Sequence, residues 1–215
     1  MRVRRITNGG RKVIGKFPSI KNGKMVWWES QLERDYFYLL EIDPDVISYQ
    51  EQPLKIRYYL DGEPHRYTPD IRVIRLNGKE IVEVKLKEVA EKEEYVQLFK
   101  RVDPICRAKG YEFVVATEET IRIQPRLDNI KLIYKYAKAT VTSEHQILLY
   151  SIFSGQESLS LGEIINGFNA RQISQNVVYA LIYHGILSVD FTQPIGKTSA
   201  AWLSGSLPAN RRKSA

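Results

Sequence analysis

Asp70 directly follows Pro69, and after an interval of twelve residues, Ile71 to Val82, the chain reads Glu83-Val84-Lys85. Asn77-Gly78 within the interval suits a two-residue type I′ turn, so the segment reads as a β-hairpin. With Leu76 facing Lys79, Arg72 would face Glu83 and Asp70 would face Lys85. Side chains alternate with period two, so Asp70, Glu83 and Lys85 would share one side while Ile71, Val73, Val82 and Val84 fill the other. Carboxylates at diagonal sheet positions sit about 7 to 8 Å apart at Cα, within reach of one divalent ion held at about 2.0 to 2.2 Å from each oxygen. Such an ion keeps places for water and phosphate and activates the water for phosphodiester hydrolysis, with Lys85 supplying a cation beside the reacting phosphate. The bland alternative is an exposed hairpin decorated with charge, which Glu83-Val84-Lys85 alone would fit as well.

A third acid comes from an upstream helix. Leu32, Tyr36, Leu39 and Leu40 form one helical stripe, and at about 100° per residue Glu33 lies on its border, positioned to look inward. Ser30-x-x-Glu33 is equally a capping box, in which Glu33 only bonds back to the Ser30 amide. Spacing alone leaves both readings open.

Glu29-Ser30-Gln31-Leu32-Glu33, Tyr49-Gln50-Glu51-Gln52-Pro53, Tyr67-Thr68-Pro69-Asp70 and Val82-Glu83-Val84-Lys85, in this order, resemble the amino-terminal nuclease domain of TnsA, the endonuclease subunit of heteromeric cut-and-paste transposases. The resemblance spans roughly residues 1–120. It implies a restriction-endonuclease-like PD-(D/E)xK domain, an α/β fold with a mixed sheet flanked by helices, and catalytic roles for Glu33, Asp70 and Lys85. Glu83 matches the wider nuclease pattern, although some members carry Gln there. Asp70, Glu83 and Glu33 would be the ligands of Mg²⁺, with Mn²⁺ able to substitute. The resemblance further implies cleavage of double-stranded DNA at the 5′ transposon ends, beside a TnsB-like transposase acting on the 3′ ends and a TnsC-like ATPase regulator. A stand-alone restriction or junction-resolving nuclease would carry the same acids. A catalytically silent DNA-bridging assembly subunit is the alternative from another class, and the intact acids and lysine argue against it.

Charge is distributed unevenly. Residues 1–24 hold eight Lys/Arg and no acid, within a chain of net charge +7. This reads as a basic arm whose Arg2, Arg4, Arg5, Arg11, Lys12 and Lys16 would lie along DNA phosphates and release counterions. A solubilising tail is the alternative. The lone Cys106 excludes an intrachain disulfide or a cysteine zinc cluster and fits a core thiol. The sequence offers neither a secretory h-region nor an apolar run of about 20 residues. The expectation is a cytoplasmic bacterial enzyme acting at the nucleoid, without membrane contact.

The remaining pattern predicts a nuclease domain over 25–137, a linker at 138–144, a second domain over 145–207 and a basic tail over 208–215. Leu54 to Leu60 reads as a strand turning at Asp61-Gly62. A helix carrying Val89, Val96, Phe99, Val102 and Cys106 should kink or break at Pro104, and Tyr111 to Thr117 should be a buried strand parallel to the hairpin. Helices at 145–153, 161–168 and 173–184, with Ser160 and Ser174 as N-caps, and a strand pair from 185–190 and 199–203, suggest a winged helix-turn-helix-like domain. Residues 140–207 carry Arg171 and Lys197 against Glu144, Glu157, Glu163 and Asp190. That balance favours protein docking, through apolar Val177, Val178, Leu181, Ile182 and Tyr183 of its third helix, over DNA contact.

Overall fold

The computed structural model describes residues 14–205, which fall into two compact units that divide between Ile123 and Gln124. In the first unit, β1 (Gly15–Ser19) pairs antiparallel with β2 (Lys24–Trp28), and Gly23 takes φ +62° at the turn, a value that favours glycine. Residues 15–24 are therefore built into the domain rather than belonging to a free arm. Lys21 shows the consequence, since its Nζ donates to the carbonyls of Asp43 and Val46 and faces inward.

Helix α1 (Gln31–Ile42) buries Leu32, Tyr36, Phe37 and Leu40, and Phe37 stacks on Tyr49 at 5.2 Å. Buried Glu41 accepts hydrogen bonds from Ser19 Oγ at 2.6 Å and Tyr49 OH at 2.7 Å, fastening the hairpin and sheet to the helix. The central sheet takes the order β3 (Val46–Glu51), β6 (Ile71–Arg75), β7 (Gly78–Val84), β8 (Glu112–Ala116). Strand β8 runs parallel to β7 and the other pairs are antiparallel, so the sheet is mixed. Strands β4 (Ile56–Leu60) and β5 (Glu63–Tyr67) form a separate hairpin. Short α2 (Lys87–Ala90) and long α3 (Glu93–Ala108) cross over to β8, and α4 (Glu118–Ile121) follows. This mixed α/β arrangement fits a restriction-endonuclease-like fold.

Three local expectations are corrected. The central hairpin turns at Leu76-Asn77, with Arg75 opposite Gly78 and Ile71 opposite Val82. The register is thus shifted by two residues, which keeps every side chain on its expected face but sets Glu83, rather than Lys85, across from Asp70. Leu76 N–H donates to Asp45 O at 2.8 Å and anchors the turn to the end of β3. The paired φ > 0 turn occurs instead at Asp61 (φ +51°) and Gly62 (φ +83°), between β4 and β5. The stretch expected as one helix from Val89 to Cys106 is two, with Val89 on α2 and the rest on α3, and α3 continues through Pro104 without a break. Burial of Val102 and Cys106 on either side of it, against Ile56 and Ile81, holds the helix to the sheet.

The second unit begins with α5 (Arg126–Tyr134), well before the expected linker. Leu127, Ile130 and Ile133 of α5 are buried. The unit continues with α6 (Ser143–Phe153), β9 (Leu159–Ser160), α7 (Leu161–Asn169), α8 (Gln175–Tyr183), β10 (Leu187–Val189) and β11 (Ala200–Leu203). Tyr134 meets Tyr183 at 6.0 Å and Tyr136 stacks on Tyr179 at 4.8 Å, which joins the end of α5 to α8. Buried Asn129 donates to the carbonyls of Phe191 (2.9 Å) and Gln193 (2.7 Å) and accepts from Ile195 N–H (3.0 Å), holding the loop before β11. Ser160 and Ser174 cap α7 and α8 as the sequence indicates, and β10 pairs with β11 in a three-stranded sheet with β9. The α8 side chains Val177, Val178, Leu181 and Ile182 are all buried within the chain, so they supply no docking surface. Among the described residues, the exposed large apolar side chains of this unit are Ile147 and Tyr150, one turn apart on α6.

These packings predict where the chain can be cut. Arg122 Nε is tied to Asp35 on α1 at 2.8 Å, whereas α5 needs α8. A chain ending at Ile123 should unfold cooperatively and resist trypsin. One ending at Thr140 carries α5 without its partner, and limited proteolysis should trim it back to about residue 123. Protection of residues 124–140 in that truncated chain would contradict the boundary.

Candidate active site

Extending the β6–β7 register by one pair places Asp70 opposite Glu83. Glu83 is only 3% exposed, and a carboxylate that deep needs partners for both oxygens. Lys85 Nζ reaches Glu83 Oε1 at 2.6 Å, and Tyr67 OH donates to Oε2 at 2.5 Å. Lys85 Nζ also sits 4.8 Å above the Tyr95 ring, which orients the ammonium from α3. Val84 N–H donates to Asp70 Oδ2 at 2.8 Å. Asp70 Oδ1 receives no hydrogen bond from the described residues.

The backbone of Asp70 is held from just beyond β3. Gln52 N–H donates to Asp70 O at 2.7 Å, and Gln52 Nε2 donates to Glu29 Oε1 at 2.8 Å. Gln52 adopts φ +41°, a left-handed backbone that a buried non-glycine residue keeps only where its surroundings fix it. Sequence reasoning placed Gln52 and Tyr67 inside recognisable segments without assigning them a task. The missing signal was three-dimensional, because neither residue lies on the strand carrying the acids.

Glu33 bonds back to the helix start, but to the Glu29 amide and the Ser30 hydroxyl rather than to the Ser30 amide. Ser30 Oγ accepts from Glu33 N–H at 3.1 Å and donates to Glu33 Oε1 at 3.0 Å, while Glu29 N–H donates to Oε2 at 2.9 Å. The capped turn nevertheless lines the same cleft as Asp70, Glu83 and Lys85. That cleft measures about 580 Å³ and is bordered by Gln52, Arg66, Tyr67 and Tyr95, ample room for one nucleotide unit and its waters. Of the residues expected to bind DNA, Arg2, Arg4, Arg5, Arg11 and Lys12 lie outside the described residues. Lys16 is exposed on β1 with its Nζ 4.6 Å over the Trp27 ring.

The electrostatics follow from three carboxylates sharing one cleft. Burial, then the charges of Glu83 and Glu33, push the Asp70 carboxyl well above the usual range, against the opposing pull of the Val84 amide and Lys85. Burial raises Glu33 as well, only partly countered by its cap bonds. At Lys85 burial works against the ammonium, but Glu83 outweighs it and the net shift is upward. Burial first, then the charge and hydrogen bond of Glu83, likewise keeps the Tyr67 phenol protonated.

Among the described residues no three His, Cys, Asp or Glu side chains form a ready metal cluster. The donors that are present suit a hard, oxygen-seeking ion that retains its own waters and takes only one or two carboxylates. The open Asp70 Oδ1 and the mutual repulsion of the acids are consistent with one.

Residues 43–118 match the family model described as TnsA-like endonuclease N terminal. The match takes in Asp70, Glu83 and Lys85, leaves Glu33 outside, and supports reading the first unit as a TnsA-like nuclease domain. It covers less than half of the chain. No curated protein matches the sequence, and no helix among the described residues is long and apolar enough to cross a membrane.

Two outcomes follow for the acids. Glu33→Gln keeps the cap acceptor, so thermal stability should change little. If the Glu33 charge serves the cleft, turnover should fall by about 10-fold or more; unchanged turnover would leave Glu33 a cap only. Asp70 holds its proton to higher pH in the fold than in the unfolded chain, so the native state binds more protons between the two pKa values. Stability contributed at this site must then decrease as pH rises through that window. In chelator, Asp70→Asn should melt above the parent chain at pH 7 to 8, and the gap should close near pH 4. A lower melting temperature for the variant at pH 8 would contradict the repulsion.

Proposed function

We propose that the chain is a divalent-metal-dependent DNA endonuclease subunit of a heteromeric cut-and-paste transposase, acting at the 5′ ends of the element. The observation that carries this reading is the meeting of Asp70, Glu83, Lys85 and Glu33 in one cleft of a unit whose sequence matches TnsA-like endonucleases. Asp70 and Glu83, with Glu33 beside them, would hold Mg²⁺ or Mn²⁺. When bound, the ion would lower the pKa of a coordinated water and offset charge on the scissile phosphate.

The chain's own groups have separable tasks. Val84 N–H and Gln52 N–H fix the Asp70 side chain and backbone, so the carboxylate is aimed before substrate arrives. Tyr67 clamps one Glu83 oxygen, leaving Lys85 on the other. Lys85, kept protonated by Glu83, stabilises the charge that builds on the phosphate oxygens as the bond to the leaving oxygen breaks. In this reading the second unit, with a winged-helix-like set of helices and strands, docks TnsB-like and TnsC-like partners. The exposed face of α6, where Ile147 and Tyr150 stand beside Glu144 and no Lys or Arg, supports protein contact more than phosphate contact.

Cleavage of transposon-end duplexes, with strand breaks mapped in the presence and absence of partner proteins, tests the reading. Asp70→Ala should abolish cutting at every Mg²⁺ concentration. Lys85→Ala should lower kcat by about 10² to 10³ without preventing metal binding. Mn²⁺ should replace Mg²⁺, and Ca²⁺ should support binding with little cutting. Full activity of Asp70→Ala in chelator would overturn the proposal.

A further inference from the structure

The β4–β5 hairpin stands outside the central sheet, and its two faces differ sharply. Ile56, Tyr58 and Leu60 alternate with Arg57 and Tyr59 along β4, and Lys55 directly precedes the strand. Ile56 is buried against Ile81, Val102 and Cys106. Tyr58 stacks on His65 at 5.4 Å and shares a groove with Leu98 and Arg101 of α3. The first set thus faces the domain. Strand pairing sets Arg57 directly opposite Arg66 and Tyr59 opposite Pro64, so Lys55, Arg57, Tyr59 and Arg66 share the outer face. Lys55, Arg57, Tyr59 and Arg66 are all exposed, Tyr59 by 69%.

Like charges directly opposite on an antiparallel pair are destabilising, since their Cβ atoms lie about 5 Å apart. Among the described residues neither Arg57 nor Arg66 has an acidic partner. A hairpin that keeps two opposed, unneutralised arginines is suited to a polyanion that neutralises both together. Arg66 also lines the cleft holding Asp70, Glu83 and Lys85, so the cationic face runs into the candidate active site.

We propose that the outer face of the β4–β5 hairpin is a duplex-DNA binding surface, in which Arg57 and Arg66 grip phosphates of the strand entering the cleft. Lys55 extends the cationic row toward Thr68, and Tyr59 offers a flat face to the sugar edge. This surface has no residue in the basic segment over 1–24. It rests on the nuclease reading for its choice of polyanion, but binding can be measured without cutting.

Full-length protein is titrated with a fluorescent random-sequence duplex in EDTA over a series of salt concentrations. Arg57→Ala/Arg66→Ala should lose at least 10-fold in affinity at about 100 mM salt, and the slope of log K against log salt should flatten by roughly 2, at ~0.9 per phosphate contact. Its melting temperature should hold or rise, because an Arg–Arg repulsion is removed. Lys109→Glu, at an exposed site at the far end of α3, should change affinity less than 3-fold. A double variant within 2-fold of the parent in affinity and slope would overturn the proposal. So would an equal loss in Lys109→Glu, or a parent chain with no duplex affinity. Hairpin-dependent binding in a chain that never cuts with any divalent ion would instead sink the nuclease reading while leaving the hairpin assignment standing.

Discussion

Two carboxylates facing each other across β6 and β7 are the constraint around which the first unit is arranged. Placing Asp70 opposite Glu83 inside a cleft creates repulsion that water screens less than it would at an open surface, and the neighbouring chain answers it from several directions. Lys85 and Tyr67 take the two oxygens of Glu83, and the Val84 amide takes one oxygen of Asp70. These groups come from β7, β5 and the strand backbone itself, and Tyr95 of α3 fixes the ammonium from above. Burial first, and then the remaining repulsion from Glu83 and Glu33, keep the Asp70 carboxyl raised, and a divalent ion would relieve the repulsion. Stability and the proposed chemistry therefore pull in opposite directions at one point, as expected where a fold stores strain at a working site.

The surrounding architecture serves that placement. Gln52 directly follows strand β3, and its left-handed backbone brings its amide to Asp70 while its side chain reaches Glu29 just before α1. This one residue links the Asp70 strand to the turn that carries Glu33. Glu41, at the other end of α1, anchors the same helix to β1 and β3 through Ser19 and Tyr49. A helix held at both ends cannot easily rotate Glu33 away from the cleft. The capping bonds of Glu33 and its place beside the other acids are thus two aspects of one fixed turn.

Much of this was legible in the chain. Period-two alternation placed Asp70, Glu83 and Lys85 on one side correctly, and it survived a register error because a shift of two residues preserves the face. What alternation could not give was the partner. Asn77-Gly78 has the composition of a type I′ turn, but the anchoring of Leu76 N–H to Asp45 O moved the turn back by one residue, and Asp61-Gly62 took that geometry instead. Pro104 misled for a similar reason, since tertiary burial of Val102 and Cys106 outweighed a local helix-breaking preference. The apolar length of α8 read as surplus because α5 was assigned to the wrong unit. Once Tyr134, Tyr136 and Asn129 join the second core, α8 has enough neighbours to bury its residues. Gln52 and Tyr67 were invisible as site residues because their partners are 18 and 16 positions away.

The central claim is that Asp70 and Glu83 form a paired-carboxylate site completed by a divalent ion. Crystals of the full chain soaked in Mn²⁺ and measured at the manganese absorption edge test it most directly. The account predicts an anomalous peak within coordinating distance of Asp70, bordered by Glu83, which vanishes in Asp70→Asn. A peak elsewhere on the molecule, or none in the cleft at millimolar Mn²⁺ and pH 8, would contradict it.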